Sequence, residues 1–112
     1  MQPNSTKQLK IMTGVLKRTQ KEFLSYHVEE KIQQDKIDKM IKNSEDEHEI
    51  RQQKRVLDET TQMFPDCKKR FNKAHQELSN LIAELLQNDP SLEESEDVKV
   101  ANQILQESEK SL

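Results

Sequence analysis

The sequence predicts an all-α protein, an elongated antiparallel three-helix bundle of coiled-coil character. Three observations carry this. Charged residues make up 35% of the 112 residues and hydrophobic ones only 31%, with a single glycine and no tryptophan. Such a chain has too little apolar material for a thick globular core. Apolar residues nevertheless recur in steps of three and four through two long stretches, the rhythm of a heptad seam. The two interruptions, "KNSEDEHEI" and "QNDPSLEESEDV", are short, so consecutive helices must run antiparallel. One domain, 1–112, accommodates all of this.

The first helix is expected over about 6–42. Its seam is Leu9, Met12, Leu16, Thr19, Phe23, Tyr26, Glu30, Gln33, Ile37 and Met40. Ser44 with Glu47, and Asp46 with Glu49, each offer a capping box, so the second helix should begin near Asp46 and run to about 88. Its seam is Ile50, Gln53, Leu57, Thr60, Phe64, Cys67, Phe71, Ala74, Leu78, Leu81 and Leu85. Asn88 and Asp89-Pro90 end it. Ser91 with Glu94 offers a cap for a third, shorter helix over about 92–110, with seam Val98, Ala101, Leu105, Ser108 and Leu112.

Pro65 stands inside the second seam. A proline there removes one hydrogen bond and crowds the preceding turn, at about 3 kcal/mol. The three-four rhythm passes through it without a change of phase, which predicts a kink in one helix; two helices meeting at Pro65 is the alternative. Antiparallel pairing makes partner numbers on helices 1 and 2 sum to roughly 88, and on helices 2 and 3 to roughly 179. Leu112 then falls opposite Cys67, so the end of the third helix and the proline should coincide. Glu30, Gln33, Gln53 and Thr60 lie where only two helices are expected. Polar seam residues are tolerable where water reaches them.

Several function classes are excluded or disfavoured. The net charge of −3 argues against general nucleic-acid binding. No apolar run approaches the ~20 residues of a membrane span, and "MQPNSTKQLK" has no signal-peptide core. One cysteine, Cys67, excludes an intrachain disulfide and fits a reducing cytosol. Its seam position makes it a small buried hydrophobe rather than a nucleophile. His27, His48 and His75 lack metal-ligand spacing, and one glycine cannot build a phosphate loop. No cofactor and no enzymatic activity are expected.

Two surface features point to partners. Lys17, Arg18 and Lys21 fall opposite Lys68, Lys69, Arg70 and Lys73, making a basic zone in an acidic chain. Residues 1–42 carry nine basic and five acidic side chains, and residues 89–112 carry two and seven. Such segregation suits an acidic protein partner, although a solvated face explains it as well. Leu24, Val28 and Ile32, spaced i, i+4, i+8 off the seam, form an apolar stripe for a partner or a second copy, unless the seam is simply wide. Gly14 faces outward in this register and is expected to mark local fraying or a close backbone approach.

The segments "KIMTGVLKRTQKE" at 10–22, "KIDKMIK" at 36–42, "QKRVLDET" at 53–60, "FPDCKKR" at 64–70 and "LEESEDVKVANQIL" at 92–105 together resemble the tubulin-binding cofactor A family. The resemblance spans about 5–110. It implies a small three-helix bundle and a stoichiometric, nucleotide-independent chaperone that captures strongly acidic β-tubulin after chaperonin release. The captured subunit then passes to other tubulin-folding cofactors for αβ-heterodimer assembly, in the cytoplasm and in association with the cytoskeleton. Both monomers and homodimers occur in the family. The alternative reading is a coiled-coil adaptor that pairs its seam with another helical protein.

Overall fold

The computed structural model describes residues 3–111. Among them the order is α1 (Pro3–Lys42), α2 (Glu47–Asn88), a 3-10 turn (Pro90–Glu94) and α3 (Glu96–Glu109). No described residue is in a strand. Helix α1 begins at Pro3, a few residues earlier than expected, and proline suits a first helical position.

The chain divides into two compact units. Unit 1 joins the α1 segment up to Lys21 with everything from Lys69 onward, so three helices and the 3-10 turn share its core. Unit 2 is the hairpin Glu22–Lys68, two helical segments and the turn between them. In unit 1 Leu9, Leu16, Phe71, Leu78, Leu81, Leu85, Val98, Ala101 and Leu105 are buried. Unit 2 buries only Phe23, Ile37, Met40, Thr60 and Cys67. Its polar seam residues Glu30, Gln33 and Gln53 stay half-buried, and Thr60 satisfies its hydroxyl by donating to the Val56 carbonyl at 3.1 Å. Two helices leave a seam within reach of water, so the polar seam positions cost little there.

Contacts across unit 2 set the antiparallel register. The Phe23 and Phe64 ring centroids lie 5.1 Å apart, edge to face, and His27 also meets Phe64 at 5.4 Å. The Cys67 thiol donates to Glu22 Oε1 at 3.6 Å, and the Thr61 hydroxyl to Glu30 Oε2 at 3.4 Å. Each pair falls within one turn of the expected pairing. Cys67 is only 1% exposed, as its seam position requires.

The turn between α1 and α2 corrects one expectation. Ser44 does not cap α2: its φ is 51°, in the left-handed region. It closes α1 instead. Its N–H bonds the Ile41 carbonyl at 3.1 Å and the Glu45 N–H bonds the Met40 carbonyl at 3.0 Å. That pair of bonds is a Schellman motif, in which glycine usually occupies the position of Ser44. Asp46 does start α2, with its carboxylate accepting from the His48 N–H at 3.3 Å. A left-handed conformation costs a non-glycine residue about 1–2 kcal/mol, so Ser44→Gly should stabilise the protein by about 1 kcal/mol in urea titration. A loss of stability would mean that the serine side chain holds the turn.

The second turn differs as well. Ser91 and Glu94 do not open α3. They belong to the 3-10 turn, where Asp89 is the N-cap and accepts from the Ser91 N–H at 3.2 Å and hydroxyl at 2.6 Å. These hydrogen bonds, the hydroxyl's first, hold the Asp89 carboxyl below its ordinary value. Leu92 on this turn is buried in unit 1, and α3 starts only after Ser95. His75 Nε2 lies 3.6 Å from Glu109 Oε1, five residues beyond the expected partner. At the same end of α3 the Gln20 amide donates to the Ser111 hydroxyl at 3.4 Å. The expected partner of Cys67, Leu112, lies outside the described residues.

Helix α2 is unbroken through Pro65, so two separate helices do not meet there. Pro65 is exposed while Cys67, two residues on, is buried. The pyrrolidine ring therefore sits on the outside of the helix.

Gly14 is neither frayed nor closely approached. It lies within α1, and a Cβ added to it would meet nothing within 4 Å. It borders an open cleft of about 280 Å³ between α1 and α3, lined by Leu9, Lys10, Thr13, Gly14, Lys17, Asp97 and Val100. Glycine inside a helix costs about 0.5–1 kcal/mol relative to alanine. Gly14→Ala should raise stability by that amount, read as a higher urea midpoint at unchanged slope. An unchanged or lower midpoint would show that a backbone constraint, invisible in the contacts, holds the glycine.

Candidate functional site

Among the described residues no group of three or more His, Cys, Asp or Glu is placed to hold a metal ion, and no described helix is long and apolar enough to cross a membrane. The candidate sites are surfaces on the helices.

The seven basic residues singled out by sequence are all exposed. Six belong to unit 1: Lys17, Arg18 and Lys21 on α1, and Lys69, Arg70 and Lys73 on α2. Lys68 belongs to unit 2. The six do not share one face. Heptad position separates them, because helix neighbours three or four apart share a face and adjacent residues do not. Lys17 turns toward α3, where it lines the cleft with Asp97 and Val100. Arg18, Arg70 and Lys73 occupy the flank away from α3. Lys21 and Lys69 take outward positions between the two. Lys73 lies 3.8 Å from Glu77, one turn along α2, a pair of small energetic weight in water. Unit 1 is thus ringed by cations on the α1 and α2 surfaces. The acidic side chains Glu93, Glu94, Glu96 and Asp97 fall on or beside the 3-10 turn and the start of α3. There Asp97 and Glu96 suit the positive end of the helix dipole.

The stripe Leu24, Val28 and Ile32 is exposed, at 40%, 57% and 62%. The seam is therefore not simply wide enough to absorb it. The stripe winds about α1, so Leu24 leans to one side of the seam and Ile32 to the other. Sequence reasoning passed over Val56 and Met63, which are also exposed. Their signal was available: both occupy the same heptad position, seven residues apart, where a charged or polar residue is usual. It also passed over the buried Thr13 and Ile82. Both widen the helix faces that meet α3, as a three-helix core demands. Thr13 meets the cost of burial by donating its hydroxyl to the Leu9 carbonyl at 2.7 Å.

The family model for tubulin binding cofactor A matches residues 4–110. The chain belongs to this family. Among its relatives, the tubulin-specific chaperone A of Gallus gallus is 42% identical over 100 residues, 89% of each chain. That of Homo sapiens is 38% identical over 99 residues, 88% of each. The solved structure of tubulin folding cofactor A from Arabidopsis thaliana superposes with a TM-score of 0.88 at 31% identity, covering 97% of this chain and 99% of that one. The human tubulin chaperone cofactor A structure gives 0.79 at 34% identity, covering 94% and 98%. The three-helix architecture is thus a property of the tubulin binding cofactor A family. Its members are tubulin chaperones and not enzymes.

Proposed function

We propose that this chain captures β-tubulin as a stoichiometric chaperone without nucleotide, and holds it for assembly of the αβ heterodimer with the other tubulin-folding cofactors. It works in the cytoplasm, in association with the cytoskeleton. The observation that supports this reading is the ring of cations on unit 1, in a family of tubulin cofactors and in a chain whose net charge is −3. An acidic partner is drawn to such a surface, which speeds encounter and fixes orientation more than it adds affinity. The filled seam weighs against the adaptor reading. The apolar seam positions of α1 and α2 are buried or half-buried within the chain, so no free stripe of the a/d kind is left for a foreign coiled-coil partner.

The test is a capture assay with β-tubulin and no α partner. Reversal of Arg18, Lys69 and Arg70 to Glu should slow capture about tenfold at low salt, and added salt should shrink the difference as screening shortens. The variant should keep its helix content, because exposed charges contribute little to stability. A matching reversal of Glu94 and Glu96 to Lys should spare capture. A folded triple variant that captures at the wild-type rate would reduce the cationic ring to a solvated surface. The stripe at Leu24, Val28 and Ile32 would then be the next contact to test. A native pull-down that retrieves no β-tubulin sinks the function itself.

A further inference from the structure

Unit 2 carries a second surface, of opposite charge, on one flank of its seam. At the hairpin tip a cleft of about 420 Å³ is lined from α1 by Lys36 and Lys39 and from α2 by Glu49 and Gln52, over Met40. This fixes which side chains of the two helices share a flank. The heptad repeat carries the flank along the hairpin. Seven residues from Lys36, Lys39, Glu49 and Gln52 stand Glu29, Ile32, Val56 and Glu59. One heptad further stand Glu22, Ser25, Met63 and Asp66.

Large apolar side chains and acids therefore alternate here. Ile32 is 62% exposed, Val56 42% and Met63 45%. Ile32 and Val56 form one apolar layer, and Met63 stands about 10.5 Å along in the next, at 1.5 Å per residue. Glu29 and Glu59 lie between the layers, and Glu22 and Asp66 beyond Met63. From Glu22 to Ile32 on α1, and from Val56 to Asp66 on α2, no basic side chain falls on this flank. Glu29 is held in place by the Gln33 amide, which donates to its Oε1 at 3.2 Å.

We propose that this flank of unit 2 is a docking groove for a basic amphipathic helix of a partner protein, with apolar residues seven apart and Lys or Arg between them. The spacing of the apolar layers is one heptad, the repeat of a helix laid along two others. The acids between the layers meet the cations such a helix carries one turn from each apolar anchor. A second copy presenting the same flank is a poor occupant. Two-fold pairing centred on the acidic layer would set Glu29 and Glu59 against their own copies, and like charges in apposition cost several kcal/mol. The surface lies within unit 2 and selects a partner of the opposite sign to the one drawn by the cations of unit 1, so its test does not depend on tubulin capture.

The probe is a pair of fluorescent 18-residue helical peptides with leucine at seven-residue spacing, one with lysine between the leucines and one with glutamate, titrated against the full chain. The lysine peptide should bind saturably, weaken with salt and outcompete the glutamate peptide. Glu29→Lys with Glu59→Lys should weaken it at least about tenfold, and Met63→Gln should weaken it too. Glu94→Lys with Glu96→Lys, on unit 1, should leave it unchanged. Circular dichroism confirms that each variant is folded. Equal binding of the two peptides, no saturable binding, or binding indifferent to the double reversal would overturn the proposal. So would a dimer in sedimentation equilibrium that the same double reversal abolishes, since the flank would then belong to a second copy.

Discussion

Phe71→Ala is expected to lower the stability of the protein by about 3–5 kcal/mol, the range for deleting a fully buried phenylalanine side chain. Phe71 is the largest of the fully buried side chains and is 0% exposed. It sits at a seam position of α2 in unit 1, where α1, α2 and α3 converge on one core. Close packing leaves the surroundings little freedom to collapse into the space, so the lost transfer energy and the cavity both count. Domains of this size are stable by about 5–15 kcal/mol in total, so the variant forfeits about a fifth or more of what holds the fold. Phe64, one heptad back in unit 2, is half-buried. Its removal should cost clearly less, because water already reaches part of the ring. Urea denaturation followed by circular dichroism reads both variants, and similar slopes would show that both lose stability and not cooperativity. A Phe71→Ala cost below about 1 kcal/mol would mean that the three-helix core repacks freely, contrary to its burial.

The same contrast explains what the sequence made legible. Every apolar residue assigned to the seams of α1 and α2 is buried or half-buried, because a 3.5-residue period is a direct imprint of which side of a helix is dry. The polar seam residues Glu30, Gln33 and Gln53 located the two-helix stretch for the same reason. The turns were harder. Ser44 and Ser91 each precede a glutamate at the right distance, and a capping box is only a pattern until the backbone chooses its φ. In Ser44 the backbone chose the left-handed region, and at Ser91 the Asp89 carboxylate claimed the N–H first. The five residues Pro90–Glu94 form a 3-10 turn, so α3 begins only after Ser95. At the candidate sites, the sequence revealed that cations cluster near residues 17–21 and 68–73. It did not reveal that adjacent ones face different ways, since that depends on where α3 docks. Val56 and Met63 were missed because positions off the seam were read as solvated by default.

Pro65→Ala is expected to stabilise the isolated protein by up to about 3 kcal/mol, the interior penalty of proline relative to alanine. The substitution restores an N–H that can donate to the Thr61 carbonyl and removes the ring that crowds the turn before it. Nothing in the core is given up, because Pro65 is exposed. The size of the gain is informative. Phe64 and Cys67 on either side of the proline are tied to Phe23 and Glu22 of α1, so any change in the course of α2 here would disturb these contacts. A gain near the full penalty means that the proline alone imposed a bend and that the packing tolerates its loss. A gain below about 0.5 kcal/mol means that the contacts with α1 impose the local shape and the proline merely fits it. A crystal structure of the variant separates the two, with a straighter α2 in the first case and an unchanged one in the second. A destabilised Pro65→Ala protein would contradict both and would show that the ring makes a favourable contact which its exposure conceals. β-Tubulin capture supplies the functional half of the test. If a proline-imposed bend shapes the surface offered to the partner, the straightened and more stable variant should capture β-tubulin less well than the wild type. Capture undiminished in a demonstrably straightened protein would leave the bend without a role in binding.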